Sequence, residues 1–489
     1  MGLRSRVRSA FKGPEEFDLT SGSIGKPLFF LSMPIVVTNL FQTAYNLADT
    51  FWLGQYGTDA LAAISFAFPM VFLLISLGMG ISVAGSVLVA QYTGAKRERE
   101  AEYAASQTVT FAILASILLG VSGYFVVEPF LGLLGASTDV LPMAASYMEV
   151  ISLGLVFMFG FFVFIALMRG YGDTITPMLV MFGSVVLNIV LDPFLIFGWT
   201  VVENAPIVGT VAFPELGIEG AAIATVFSRA LALVVGLAIM FRGNRGVQIC
   251  LRDMTPDRSY LRRLVRIGLP ASIEGTGRAL SMNLLLVIVA LFPDTVVAAY
   301  GIGTRVFSVI FLPAIAVARG VETMTGQNMG ANEPDRAARA AGLAATVLFG
   351  VLSLAGILVW FTAAPIADLF TTDPEVVDIA TRFLRYVALT FGFIGVMRAY
   401  TGSFRGAGKT LTAAAISVLM LGIVRFPIAW FAAGPLGESG IWVAFAVSNV
   451  VGAAIAYAWY RRGTWRESDL TETRVDLEDP AVETTTGGD

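Results

Sequence analysis

A chain of 489 residues that is 56% hydrophobic and only 14% charged, with a mean hydropathy of +0.76, falls outside the range of soluble globular proteins. Its formal net charge is −4, and no nucleic-acid partner is expected. The absence of histidine excludes His-based acid–base catalysis and His metal ligation, and a single cysteine, Cys250, excludes an intrachain disulfide and a zinc cluster.

The chain opens with a polar, basic segment, residues 1–25, containing "RSRVRSAFK". No small-residue cleavage site follows the first apolar run, so no removable signal peptide is expected. Twelve apolar runs are then long enough to cross a bilayer as helices, at 28–53, 60–86, 104–127, 143–168, 175–198, 217–241, 264–292, 297–324, 338–363, 377–404, 411–433 and 437–460. The connecting segments alternate in charge. One set includes "GAKREREAE", "RGNRG" and "NEPDRAAR"; the other, including "GQYGTD", "LFPDT" and "AAGPLGESG", has no Lys or Arg. The positive-inside rule then places both termini in the cytoplasm, for a multi-pass protein of the plasma membrane. A basic linker spans 244–262. The tail, 463–489, is acidic, poor in apolar residues and expected to be disordered.

The two halves repeat. "LSMP" ending at Pro34 answers "IGLP" ending at Pro270. "QYTGA" from Gln91 answers "QNMGA" from Gln327, and "RGYGDTITP" from Arg169 answers "RGAGKTLTA" from Arg405, all at an offset of 236. "LGIEGAAIA" from Leu216 answers "LGESGIWVA" from Leu436 at 220, and the longer outer loop around Glu203 absorbs the difference. Each half, 26–243 and 263–462, therefore carries six spans in the same orientation. The expected fold is an all-α integral membrane protein of two six-helix lobes, related by a pseudo-two-fold axis along the membrane normal.

Within the first lobe, polar residues recur at one depth. Asp49 lies about 30 Å along span one, and Asp192 about 25 Å up span five. Asn188 is one turn below Asp192 on the same face, and Thr225 is about 12 Å below the outer surface in span six. An ionised Asp at membrane depth costs several kcal/mol unless hydrated, protonated or paired. Two facing carboxylates repel, so either one holds a proton or a small cation neutralises both; carboxylate, amide and hydroxyl oxygens suit Na+ and no transition metal is implied. The competing reading for Asp49 is a cap at the outer helix end facing headgroups and water. The second lobe offers a control: the counterpart of Asp49 is Leu285, that of Asp192 is Phe426 or Ile428, and that of Thr225 is Phe445.

Weaker candidates for a cavity or coupling network are Gln42 and Tyr45, below Asp49 on the same face, with polar helix–helix contact as the alternative. Glu274 and Arg278 are spaced for an i,i+4 ion pair, a structural role being favoured. Arg305, Arg398 and Arg425 either face a central cavity or snorkel to the cytoplasm.

The spans, the repeat and the motifs "MPIVVTNLFQTAYNLADTFWLG", "QYTGA", "RGYGDTITP", "NIVLDPFLIFG" and "GIEGAAIATVFSR" resemble the multidrug and toxic-compound extrusion (MATE) family, over residues 20 to 460. The acid in span one and "LDP" in span five are most similar to its DinF-like branch. The resemblance implies a V-shaped pair of lobes and export of small organic, often cationic, compounds against H+ or Na+, with no other cofactor. It implies a cation site at Asp49, Asn188, Asp192 and Thr225, adjoining polar residues Gln42, Tyr45 and Tyr147, an acid at Glu274 and a bending proline at Pro34. A monomer in contact with membrane lipid, and no enzymatic activity, are expected. The rivals are a lipid-linked oligosaccharide flippase, which would need a strongly basic cavity, and an intramembrane protease using the two aspartates.

Overall fold

The computed structural model describes residues 18–133, 138, 140–205, 209–468 and 470–471. The basic stretch before Asp18 and the acidic tail beyond Thr471, with the disorder expected of it, lie outside the described residues. In hydrocarbon no water meets the backbone, so each apolar run must satisfy its N–H and C=O groups internally, and it does so as a helix. The first lobe is built from α1 (Gly25–Tyr56), α2 (Thr58–Gly94), α3 (Glu98–Leu133), α4 (Val140–Leu153), α5 (Leu155–Tyr171), α6 (Ile175–Phe197) and α7 (Gly217–Arg242). The second is built from α8 (Arg258–Val289), α9 (Asp294–Gly330), α10 (Pro334–Asp368), α11 (Pro374–Ala388), α12 (Phe391–Gly406), α13 (Thr410–Val418), α14 (Phe426–Leu436) and α15 (Ser439–Arg461). A π-helical turn, Leu419–Arg425, joins α13 to α14.

Among the described residues ten helices, with α13, the π turn and α14 counted as one, are long and apolar enough to cross a membrane, and two bent pairs complete twelve. The chain is a multi-pass membrane protein. The helices outrun the predicted spans because hydropathy falls at small and polar residues, whereas α2 and α9 stay helical through the QYTG and TGQNMG that close them. Spans four and ten are broken rather than straight: α4 and α5 meet at 55°, and α11 and α12 at 50°. The breaks fall at Gly154 and around Thr390, positions one repeat apart. Pro34, by contrast, sits inside an unbroken 32-residue α1. The outer loop around Glu203 is, among the described residues, the only stretch that forms strands. It folds as an antiparallel hairpin, β1 (Trp199–Ala205) with β2 (Gly209–Phe213), pairing Trp199 with Phe213. Its valine-rich runs on either side of a break suit a strand better than a loop.

Each lobe buries most of an apolar core, with Tyr260, Leu264 and Ile267 of α8 packed into that of the first lobe and Leu28 into that of the second, and side chains such as Phe125, Leu354 and Phe431 remain exposed on the outside, as a lipid-facing belt requires. The lobes meet where α2 packs on α8, with Gly80 against Gly268 and Ser272 donating to the carbonyl of Leu77 at 2.9 Å, and again through the repeated motifs. Gln91 Nε2 donates to the carbonyl of Gly406 at 2.9 Å, and its counterpart Gln327 donates to Gly170 at 3.1 Å and Tyr171 at 2.9 Å. Gly94 packs on the backbone of Gln327 and Gly330 on that of Gln91, so closely that a Cβ on either glycine would overlap the facing carbonyl. Thr323 adds a bond to the carbonyl of Arg169 at 3.2 Å. This two-fold latch closes the end of the bundle that carries the Lys- and Arg-rich connections.

Candidate functional site

Asp49 on α1, Asn188 and Asp192 on α6, and Thr225 on α7 converge inside the first lobe. None is more than 3% exposed. Asn188 sits four residues before Asp192, one helical turn away, so its Nδ2 donates to Asp192 Oδ1 at 3.0 Å. Asp49 lies against both Asp192 and Asn188. Tyr45, one turn before Asp49, donates its hydroxyl to Thr225 Oγ1 at 2.6 Å and so ties α1 to α7. Tyr147 on α4 is buried within electrostatic reach of Asp49, Tyr45 and Asp192.

Three oxygens in this cluster, Asp49 Oδ1, Asn188 Oδ1 and Asp192 Oδ2, are buried without a hydrogen-bond donor among the described residues. A buried acceptor left unpaired costs about 1–3 kcal/mol, more when it carries charge. Two carboxylates, an amide and a hydroxyl are the hard ligands a proton or a small alkali cation requires, and they reach it from three helices. The arrangement can therefore report the binding of a positive ion as a change in how α1, α6 and α7 pack.

Sequence reasoning missed one member. Arg229, four residues after Thr225 on α7, is 2% exposed and projects into the same cluster. Its Nη2 donates to Gln42 Oε1 at 2.9 Å, and its guanidinium lies 4.7 Å from the ring centroid of Tyr45 and 5.3 Å from that of Phe161. Arg229 also falls within the electrostatic reach of Asp49. The i,i+4 spacing from Thr225 was the available signal, because it puts both residues on one helix face. Gln42 joins the site through this arginine.

Glu274 is placed elsewhere, in the second lobe. It meets Arg278 at 3.3 Å, the expected i,i+4 pair, and also Arg405 at 3.2 Å and Ser417 at 3.0 Å. Arg405 continues to Glu322 at 3.0 Å, which Arg319 meets at 2.8 Å. This buried network sits close to the latch, since Glu322 precedes Thr323. Arg398 and Arg425 are buried in the second lobe, whereas Arg305 is exposed. Asp173, in the turn after α5, accepts from Thr176 at 2.6 Å and from two backbone amides, a helix-capping role.

The family profile for MatE matches residues 34–194 and 270–431, one segment in each lobe. The chain is 29% identical, over 92% of its length and 96% of the relative's, to a probable multidrug resistance protein, YoeA, of Bacillus subtilis. It is likewise 29% identical to a protein of Shewanella oneidensis named a FAD transporter, covering 90% of this chain and 95% of that one. Among solved structures, a MOP-superfamily transporter of Pyrococcus furiosus superposes with a TM-score of 0.83 at 24% identity, over 92% of this chain and 98% of that one.

Proposed function

The chain belongs to the MATE family, which makes it a membrane transporter and not an enzyme, and from that premise we propose that it is a cation-coupled antiporter exporting organic compounds by alternating access. The relatives' names, a multidrug resistance protein and a FAD transporter, point to export of organic solutes rather than to flipping of lipid-linked glycans. The basic connections are assigned to the cytoplasm, so the latch between Gln91 and Gly406 and between Gln327 and Gly170 seals the cytoplasmic end. Cargo leaves between the lobes toward the outside, and H+ or Na+ enters from there to the Asp49–Asp192 cluster.

The observation that carries this reading is the convergence of three donor-less oxygens, on Asp49, Asn188 and Asp192, in a lobe interior. An ion bound there shifts the transporter only if it binds one conformation better than the other. The tie from Tyr45 to Thr225 provides that dependence, because tilting α1 against α7 would separate the ligands. The test is efflux from proteoliposomes under a proton gradient alone and then a sodium gradient alone. Transport driven by one of them, and lost in the Asp49→Asn, Asp192→Asn double variant, is expected. Undiminished gradient-driven efflux in that variant would sink the proposal.

A further inference from the structure

The second lobe holds a pocket of about 280 Å³ at the positions that correspond, by the internal repeat, to the acidic cluster. Gln42 is answered there by Arg278, Tyr45 by Ser281, Asp49 by Leu285, Thr225 by Phe445 and Arg229 by Asn449. All five counterparts line the pocket, and among the described residues no Asp or Glu does. The polarity of the site is inverted on a common frame.

Arg425 is held in place, and among the described residues neither it nor Arg398 forms a salt bridge, although Glu274 lies within electrostatic reach of Arg398. Arg425 donates to Ser448 Oγ at 2.8 Å and Asn449 Oδ1 at 3.0 Å, and its guanidinium lies 4.2 Å from the Phe445 ring centroid. The Asn449 amide is itself fixed by donating to Thr390 at 2.9 Å. Arg425 ends the π turn, a rare geometry that concentrates at functional sites. Arg398 is 8% exposed, and among the described residues its side chain has no hydrogen-bond acceptor; its Nε is buried and unpartnered. Arg278 has a carboxylate, but Glu274 is shared with Arg405 and Ser417. A buried charge without an opposite charge is expensive. An anion entering this pocket gains what a cation would lose, and the rings of Tyr300, Phe307 and Phe445 offer flat apolar walls to the rest of the molecule.

We propose that this second-lobe pocket is a cargo site for amphipathic organic anions, with Arg398 and Arg425 binding the anionic group and the aromatic walls the apolar body. The inference rests on the export reading and names a cargo class for it. It also departs from the cationic cargo that the family resemblance implies. Transport thereby divides between the lobes: the positive ion is bound in the first and the negative cargo in the second.

The test is equilibrium binding to the purified full-length protein in a neutral detergent, with no ion gradient. The probes share a naphthalene ring and differ in charge: naphthalene-2-sulfonate, 2-naphthalenemethanol and 2-naphthylmethylammonium. The sulfonate is expected to bind at least about tenfold more tightly than the alcohol, and the ammonium least tightly, as one charge-assisted contact of this kind implies. Arg398→Gln should remove that preference, and Arg398→Lys should retain most of it, which separates lost charge from lost folding. Equal affinities for the three probes, tightest binding of the ammonium, or a preference untouched by Arg398→Gln would overturn the proposal. Repeating the titration in phosphatidylcholine and phosphatidylglycerol nanodiscs separates the two sources of anion. Full loss of sulfonate binding in phosphatidylglycerol would make the occupant a lipid headgroup and refute a solute site. Because no gradient is used, failure here is distinguishable from failure of coupling: a lost preference with intact gradient-driven efflux refutes only the cargo class.

Discussion

The two lobes share a fold and differ in what they bury. At equivalent places the first lobe sets Asp49 and Asp192 with unsatisfied oxygens, and the second sets Arg398, with its unsatisfied Nε, and a hydrogen-bonded Arg425 among aromatic rings. Because the second lobe packs with Leu285 and Phe445 where the first has Asp49 and Thr225, six-helix packing does not require polar groups at those positions. Buried carboxylates at positions where the fold does not need them are a cost to stability, and a cost retained at only one of two equivalent places is most simply accounted for by a task carried out there. Arg229 qualifies the contrast, since it brings one positive charge into the acidic lobe, beside Gln42 and Tyr45.

The contrast can be broken most severely at the acids. Replacing Asp49 and Asp192 together by Asn should reduce ion-driven efflux to the level of empty vesicles, measured as cargo loss from proteoliposomes. Next in size is the latch, to which each lobe contributes one glutamine and one tightly packed glycine. Gly94→Ala and Gly330→Ala each force a methyl group onto a facing carbonyl, an overpacking cost of about 1–3 kcal/mol charged against the closed arrangement. Both should shift the population toward the state open at the basic end, read as labelling of a cysteine introduced at that end. Symmetry predicts similar shifts for the two variants; a response to one alone would show that the lobes do not contribute equally.

Arg229→Gln sharpens the comparison from the other side. Removing this positive charge from beside Asp49 should tighten coupling-ion binding roughly tenfold, as a unit charge at this range and an effective protein dielectric implies. The half-saturating ion concentration for transport measures it, and an unchanged value would mean that Arg229 serves packing alone. The smallest expected effect is Tyr45→Phe, which deletes the bond to Thr225 and should lower stability by about 1 kcal/mol, seen as a reduced melting temperature in detergent.

Much of this was legible in the chain. The spans followed from hydropathy, and the repeat followed from three motif pairs at one offset. The polar residues at the depth of Asp49 followed from helix rise, and the structure brings Asp49, Asn188, Asp192 and Thr225 into one cluster. Glu274 was separated from that cluster only by tertiary packing, because its partner Arg405 is 131 residues away and reads in sequence as part of a turn. The breaks in spans four and ten, at Gly154 and near Thr390, were hidden because a bent apolar run has the same composition as a straight one.

The sequence by itself determined what is local or periodic: which segments enter the bilayer, which connections are basic, that the halves correspond, and which spans carry costly polar groups. Tertiary structure alone decided which of those groups meet. That depends on the rotation of each helix about its axis and on the closeness of its neighbours, and neither is recorded in hydropathy or spacing. Hence Arg229 beside the acids, the π turn that aims Arg425 at Ser448 and Asn449, and the glycine contacts that lock the lobes became visible only once the helices were packed.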